Sequence, residues 1–143
     1  MKPSSKYVVD ASVVVKWFSG AEEDIKQSER LLNSHVRGAS QLTSCSLVLY
    51  EVCNALRFNP GFDQDDLSQA ATSLVKLGLQ LVDFPDLFES AIVLAFSRGI
   101  TIYDAAYVAV SQTYHIPLIT ADYKLLAKIK DFPLVIPLKE IRA

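Results

Sequence analysis

Little in this 143-residue chain is suited to zinc or to disulfides, because it holds two cysteines and two histidines. If Cys45 and Cys53 share one helix, they lie about 12 Å apart along its axis, too far for a disulfide. No CxxC or mixed Cys/His cluster accompanies them. His35 and His115 are isolated in the sequence and read as surface or packing residues. An excess of positive charge is also missing. The formal net charge is −2, so no general basic field coats nucleic acid, and RNA or DNA contact falls to a local patch or a bound cation. No apolar run approaches the roughly 18 residues of a membrane span. The opening MKPSSKYVVD reaches Asp10 after only two valines, without the apolar core of a signal peptide. The expectation is a soluble cytoplasmic protein with no membrane partner. Repeats, low-complexity stretches and linkers are absent too.

What is present is a chain half apolar and 21% charged. That is too apolar for disorder and long enough for one domain, residues 1–143, with a real core. Tyr-Val-Val-Asp at 7–10 reads as a short buried strand, followed by a helix over 11–19. Residues 22–37 carry a loose helical stripe at Ile25, Leu31, Leu32 and Val36, stopped by Gly38. ASQLTS is a connector with room for a short strand, and 46–57 is a buried helix ended by NPG at 59–61. Asp63 caps a helix over 64–77, with Gly78 at its end. LQLVDF at 79–84 is a strand; Asp86 caps a helix over 87–98, closed by Gly99. A helix over 103–114, PLIT as a strand at 117–120, a helix over 123–129 and PLVIPL as a strand at 133–138 complete the pattern. Strands separated by helices imply a parallel sheet with helices on both faces. Ligands of such sheets bind beyond the carboxyl ends of the strands, which singles out Asp10 and Asp122.

Four acids stand in apolar company. Asp10 joins two apolar runs, as a helix N-cap or as a functional group. Glu51 has Leu47, Val48, Asn54 and Ala55 as its helical neighbours. A carboxylate on that mainly apolar face is costly unless paired, with Arg57 or a lysine, or unless it coordinates a metal. Asp104 stands three residues after Thr101, so TIYD also fits a capping box in a helix's first turn. Asp122 fits a cap or turn equally well. Taken together, the four would converge on one cleft of a parallel α/β sheet. Mutual repulsion would raise their pKa values, and a divalent cation removes that conflict. Oxygen donors without His or Cys favour Mg2+ or Mn2+ over zinc, and such sites act on phosphate esters. Ser12 and Thr120, each two residues from one of the aspartates, orient a carboxylate or a metal-bound water, or serve as ordinary turn and cap residues.

The segments VVDASVVVKWF, YEVCNAL, TIYDAAYVAVS and PLITADYKLLAK occur in that order. They resemble the four motifs of the PIN-domain ribonucleases, and in particular the VapC toxins of toxin–antitoxin pairs, from Tyr7 to about Leu138. The resemblance implies a three-layer α/β/α sandwich around a parallel sheet. It implies that Asp10, Glu51, Asp104 and Asp122 form an acidic site that binds Mg2+ or Mn2+ and cleaves RNA, supported by Ser12, Asn54 and Thr120. It further implies a homodimer, a separate VapB-like antitoxin that inserts a segment over the acids, and a structured RNA substrate such as tRNA. Some relatives carry another acid soon after the fourth motif; here the next is Asp131, nine residues on. The resemblance and the two-metal template further imply that water attacks phosphorus in line and leaves 5′-phosphate and 3′-hydroxyl ends.

Candidate RNA contacts are Lys16, Arg57, Lys124 and Lys128, with Lys130 close by, set against the reading of an ordinary solvated surface. Trp17 and Phe18 default to core packing, with a partner surface as the other use of aromatics. Two rival functions remain. A non-catalytic PIN-like module that binds RNA or protein would keep the fold without the reaction. A phosphoacceptor signalling domain needs paired acids near its first strand, where VVDAS offers one.

Overall fold

Five parallel strands form one sheet in the order β3-β2-β1-β4-β5, seen in a computed structural model that describes residues 5–20 and 23–142. The strands are β1 Ser5–Val9, β2 Ser40–Cys45, β3 Gln80–Val82, β4 Leu118–Thr120 and β5 Val135–Pro137. Between them run α1 Ala11–Val14, α2 Lys16–Ser19, α3 Ile25–Val36, α4 Leu47–Arg57, α5 Gln64–Lys76, α6 Phe88–Arg98, α7 Ile102–Tyr114 and α8 Tyr123–Ile129. The helices flank the sheet as a three-layer α/β/α sandwich.

The chain builds outward from β1 to β2 and β3, then returns to pair β4 with the other side of β1. The order therefore reverses between β1 and β4, where parallel sheets open a crevice at their carboxyl ends. Val8, Val9, Leu118 and Ile119 of these two strands are fully buried. α7 packs on β1, β2 and β4, and its residues from Ala105 to Val110 are all buried. Its alanines bring the helix backbone close to the sheet, while Tyr107 supplies the bulk.

β2 exceeds the expected connector. SQLTSC looks loop-like by composition, yet it forms a six-residue inner strand. Its hydroxyls survive burial by bonding to backbone: Ser44 donates to the Val9 carbonyl at 2.6 Å. Cys45 ends this strand rather than entering the helix of Cys53, and both thiols are free. Burial pushes the Cys45 thiol up to about 11.

Several boundaries move. The helix expected over 11–19 is broken at Val15 into α1 and α2. The one expected from 22 begins at Ile25, after Asp24 in the left-handed region with φ 60°; residue 22 lies outside the described residues. Asp86 caps nothing. Phe84–Asp86 is a 3-10 turn with Pro85 in its first positions, and α6 begins after Leu87 without a side-chain cap. That turn also shortens β3, and β5 is likewise shorter than PLVIPL. Asp63 does cap α5, in a reciprocal capping box with Asp66. Trp17 and Phe18 are half-buried against the core, and the Trp17 indole donates to the Ser28 carbonyl at 2.9 Å.

His35 is a packing residue with a defined job. The Leu42 backbone N–H donates to Nδ1 at 3.1 Å, so the ring proton sits on Nε2 and is donated to the Leu77 carbonyl at 2.7 Å. One neutral imidazole thus ties α3 to β2 and to the end of α5. His35→Ala leaves both backbone groups unpaired and costs about 1–3 kcal/mol, read as a lower urea midpoint with faster exchange of the Leu42 amide.

Among the described residues, no single helix is long and apolar enough to cross a membrane; α6 and α7 pass that test only as a pair bent by 117°.

Candidate acidic site at the switch point

Asp10 follows β1 directly and is 4% exposed. Ser12 donates to its Oδ1 at 2.5 Å, Thr120 to its Oδ2 at 2.5 Å, and the Val13 N–H to Oδ1 at 3.3 Å. Asp10 is therefore the N-cap of α1, and its second oxygen and the hydroxyls on it leave room for a functional role as well. Ser12 also accepts from the Ala121 N–H at 2.9 Å, and Thr120 from the Asp122 N–H at 3.1 Å. Each hydroxyl spends its single proton on Asp10, so the 3.3 Å approach between the two oxygens has no proton left to share. These hydroxyls stitch the ends of β1 and β4 together across the crevice and fix the direction of the carboxylate.

Burial raises Asp10 from 3.8 to about 6, against the pull of its three hydrogen bonds, and the charge of Asp122 adds to the rise. Glu51, on the second turn of α4, is half-buried and raised first by burial, then by Asp104 and Asp122. Asp104, in the first turn of α7, is raised by burial and then by Asp122; the Thr101 hydrogen bond and Lys128 pull it back. Asp122 caps α8, with Oδ1 accepting from Lys124 N at 3.0 Å and Leu125 N at 3.1 Å. Thr101 caps α7, accepting from Asp104 N at 3.0 Å. Asp10, Glu51 and Asp104 thus share one electrostatic neighbourhood with Asp122, whose charge acts on all three.

Glu51 does not pair with Arg57. It accepts a hydrogen bond from the Tyr107 hydroxyl at 2.5 Å on its Oε1. The helical face of Glu51 is also less apolar than expected, since Asn54 and Ala55 are exposed. Asn54 lines, with Glu51, Tyr50 and Tyr103, a groove of about 800 Å³. Tyr107 is the residue that sequence reasoning missed. Its only signal is its place one helical turn after Asp104, in a run of small residues.

The basic residues separate. Lys16 is 8% exposed and already engaged, which does not suit contact with phosphate. Arg57 is exposed with its guanidinium 5.5 Å from the Phe58 ring centre. Lys124 is exposed in the first turn of α8. Lys128 donates to the Gly99 carbonyl at 2.8 Å, closing the end of α6. Asp131 is held by Arg98 at 2.6 and 2.7 Å.

The donor set fits a hard divalent cation by chemistry. All four acids offer oxygen, three have raised pKa values, and Glu51 Oε2 has no hydrogen bond among the described residues. Also among the described residues, no three Asp, Glu, His or Cys side chains already stand at metal-coordinating spacing.

Fold and acids together define a parallel α/β protein with carboxylates gathered where the strand order reverses. A family model described as PIN domain matches residues 7–131. Ribonuclease VapC3 of Pyrobaculum aerophilum is 32% identical over 130 residues, covering 86% of this chain and 94% of the relative. Exonuclease VapC9 of the same organism is 32% identical over 127 residues, covering 87% and 86%. Among solved structures, PAE2754 from Pyrobaculum aerophilum superposes with a TM-score of 0.68 at 25% identity, covering 94% of this chain and 90% of that one. VapC20 of Mycobacterium tuberculosis, described as a Sarcin-Ricin loop cleaving toxin, shares the fold with a TM-score of 0.65 at 21% identity, covering 85% and 93%. The chain belongs to the PIN-domain family.

Proposed function

We propose that this protein is a Mg2+- or Mn2+-dependent endoribonuclease of the VapC type, the toxin of a toxin–antitoxin pair. The observation that carries the reading is Asp10, a buried carboxylate at the switch point, held by Ser12 and Thr120 and raised to about 6 by burial and by the charge of Asp122, which also acts on Glu51 and Asp104. Such a cluster is costly to keep ionised near neutral pH unless a cation joins it. The names of the relatives, one a ribonuclease and one an exonuclease, support nuclease chemistry.

In this reading Asp10, Asp104 and Asp122 hold the cation, and Glu51 holds it directly or through water, or takes the proton of the attacking water. Bound there, the metal supplies an activated water and neutralises the phosphate and the leaving oxygen. Ser12 and Thr120 hold Asp10 in place, and Asn54 lies in the groove beside Glu51. Lys124 and Arg57, both exposed, are the stronger candidates for phosphate contact. The products carry 5′-phosphate and 3′-hydroxyl ends. A structured RNA is the substrate, a VapB-like antitoxin the inhibitor, and a second copy the dimer partner. The exposed apolar face of α6, with Phe88, Ile92, Val93 and Phe96, supports a protein partner.

The two relatives' names differ over the mode of attack, and a circular RNA separates the modes. An endonuclease linearises the circle before shorter products accumulate. A protein that degrades linear RNA from an end and leaves the circle intact contradicts the endonucleolytic reading.

A further inference from the structure

Tyr107 is 1% exposed, and its ring is locked into the core beneath α7. Its hydroxyl leaves that core in one direction, toward Glu51 Oε1 at 2.5 Å. Asp104 sits one turn earlier on the same helix. α7 therefore carries one site acid directly and reaches a second through a rigid side chain with only two rotatable angles. We infer that Tyr107 is a positioning residue, which fixes the Glu51 carboxylate against Asp104 and Asp122 so that Oε2 is presented to the cation. The inference rests on the metal-dependent reading of the site.

The physical case is one of freedom and direction. A glutamate on α4 has three side-chain torsions to lose, and holding it in one rotamer is entropically unfavourable. Glu51 has no cationic partner among the described residues to do the holding. A buried phenol can, because among the described residues its donor has no competing acceptor and its ring is locked in the core. It binds one carboxylate oxygen and leaves the other open, as residues behind metal ligands commonly do. Removing the hydroxyl leaves Glu51 in place but undirected, and preorganisation of the site is lost.

Tyr107→Phe keeps the ring and removes the bond. We expect Mn2+ affinity, measured by titration without RNA, to fall about 10-fold, and kcat to fall with KM for RNA little changed. In a Glu51→Gln background the same substitution should cost less than 2-fold in Mn2+ affinity, since the bond then directs no carboxylate. Glu51→Asp, which withdraws the carboxylate from the phenol, should lose a similar factor and become insensitive to Tyr107→Phe. Equal losses from Tyr107→Phe in all three backgrounds would mean a general packing role and would overturn the inference. So would unchanged Mn2+ affinity in the single variant while the wild type binds Mn2+ and cleaves RNA. A wild type that neither binds nor cleaves removes the metal-dependent reading itself, and the inference with it.

Discussion

Asp10→Asn makes the metal-free protein more stable at pH 7.5, by about 2 kcal/mol, or roughly 5–8 °C in melting temperature. Raising a buried carboxylate from 3.8 to about 6 means that its ionisation costs about 3 kcal/mol more in the folded state than in the unfolded one. The amide removes that charge but gives back part of the gain, because two hydroxyls that donate to Asp10 must turn to suit it. Thermal unfolding in EDTA measures the difference. The gain should shrink toward pH 4.5, where wild-type Asp10 is already protonated. A variant less stable than the wild type at pH 7.5 would mean that Asp10 serves the fold rather than a ligand, as an ordinary N-cap would. Stability sacrificed at a preorganised site is what a functional carboxylate predicts.

Mg2+ should stabilise the protein strongly at pH 7.5 and weakly at pH 5. A folded-state pKa above the unfolded value makes metal-free stability highest below about 4, and lost as the pH rises through about 6. The raised values of Glu51 and Asp104 act in the same direction. Asp63 and Asp131 are lowered by their partners, and their contribution is lost only below the ordinary carboxylate range. Between pH 4.5 and 7 the site acids therefore set the slope. Metal binding must displace their protons at low pH and relieves their repulsion at high pH. With Mg2+ at 100 times its dissociation constant, the gain at pH 7.5 is about 2.7 kcal/mol. A Mg2+ shift that is the same at both pH values, or metal-free stability that rises from pH 4.5 to 7, would contradict a cation held by these carboxylates.

Much of this arrangement was legible in the sequence because the signals were local. Gly38, Gly78 and Gly99 all have positive φ close after helix ends, and Asp63, Thr101 and Asp122 cap the helices they precede. The acids at Asp10 and Asp122 could be placed because strand ends in a parallel sheet point to the crevice. What the sequence hid depends on contacts between distant segments. β2 reads as a connector with room for only a short strand because SQLTSC is polar, and its position between β1 and β3, with Ser44 bonded to Val9, makes it a six-residue strand. The partner of Glu51 is 56 residues away on α7, beyond any helical spacing. Phe84–Asp86 forms a turn where a strand end and a cap were expected, because Pro85 suits the first positions of a 3-10 helix.

The most direct test is cleavage of total RNA by the purified, partner-free protein with Mg2+, Mn2+ or EDTA, beside Asp10→Asn. Cutting that needs the metal, leaves 5′-phosphate ends and falls at least ~10³-fold in the variant is the predicted result, on the scale expected for losing a central electrostatic group. Cutting that survives EDTA or Asp10→Asn, or that leaves 2′,3′-cyclic phosphate ends, would contradict it.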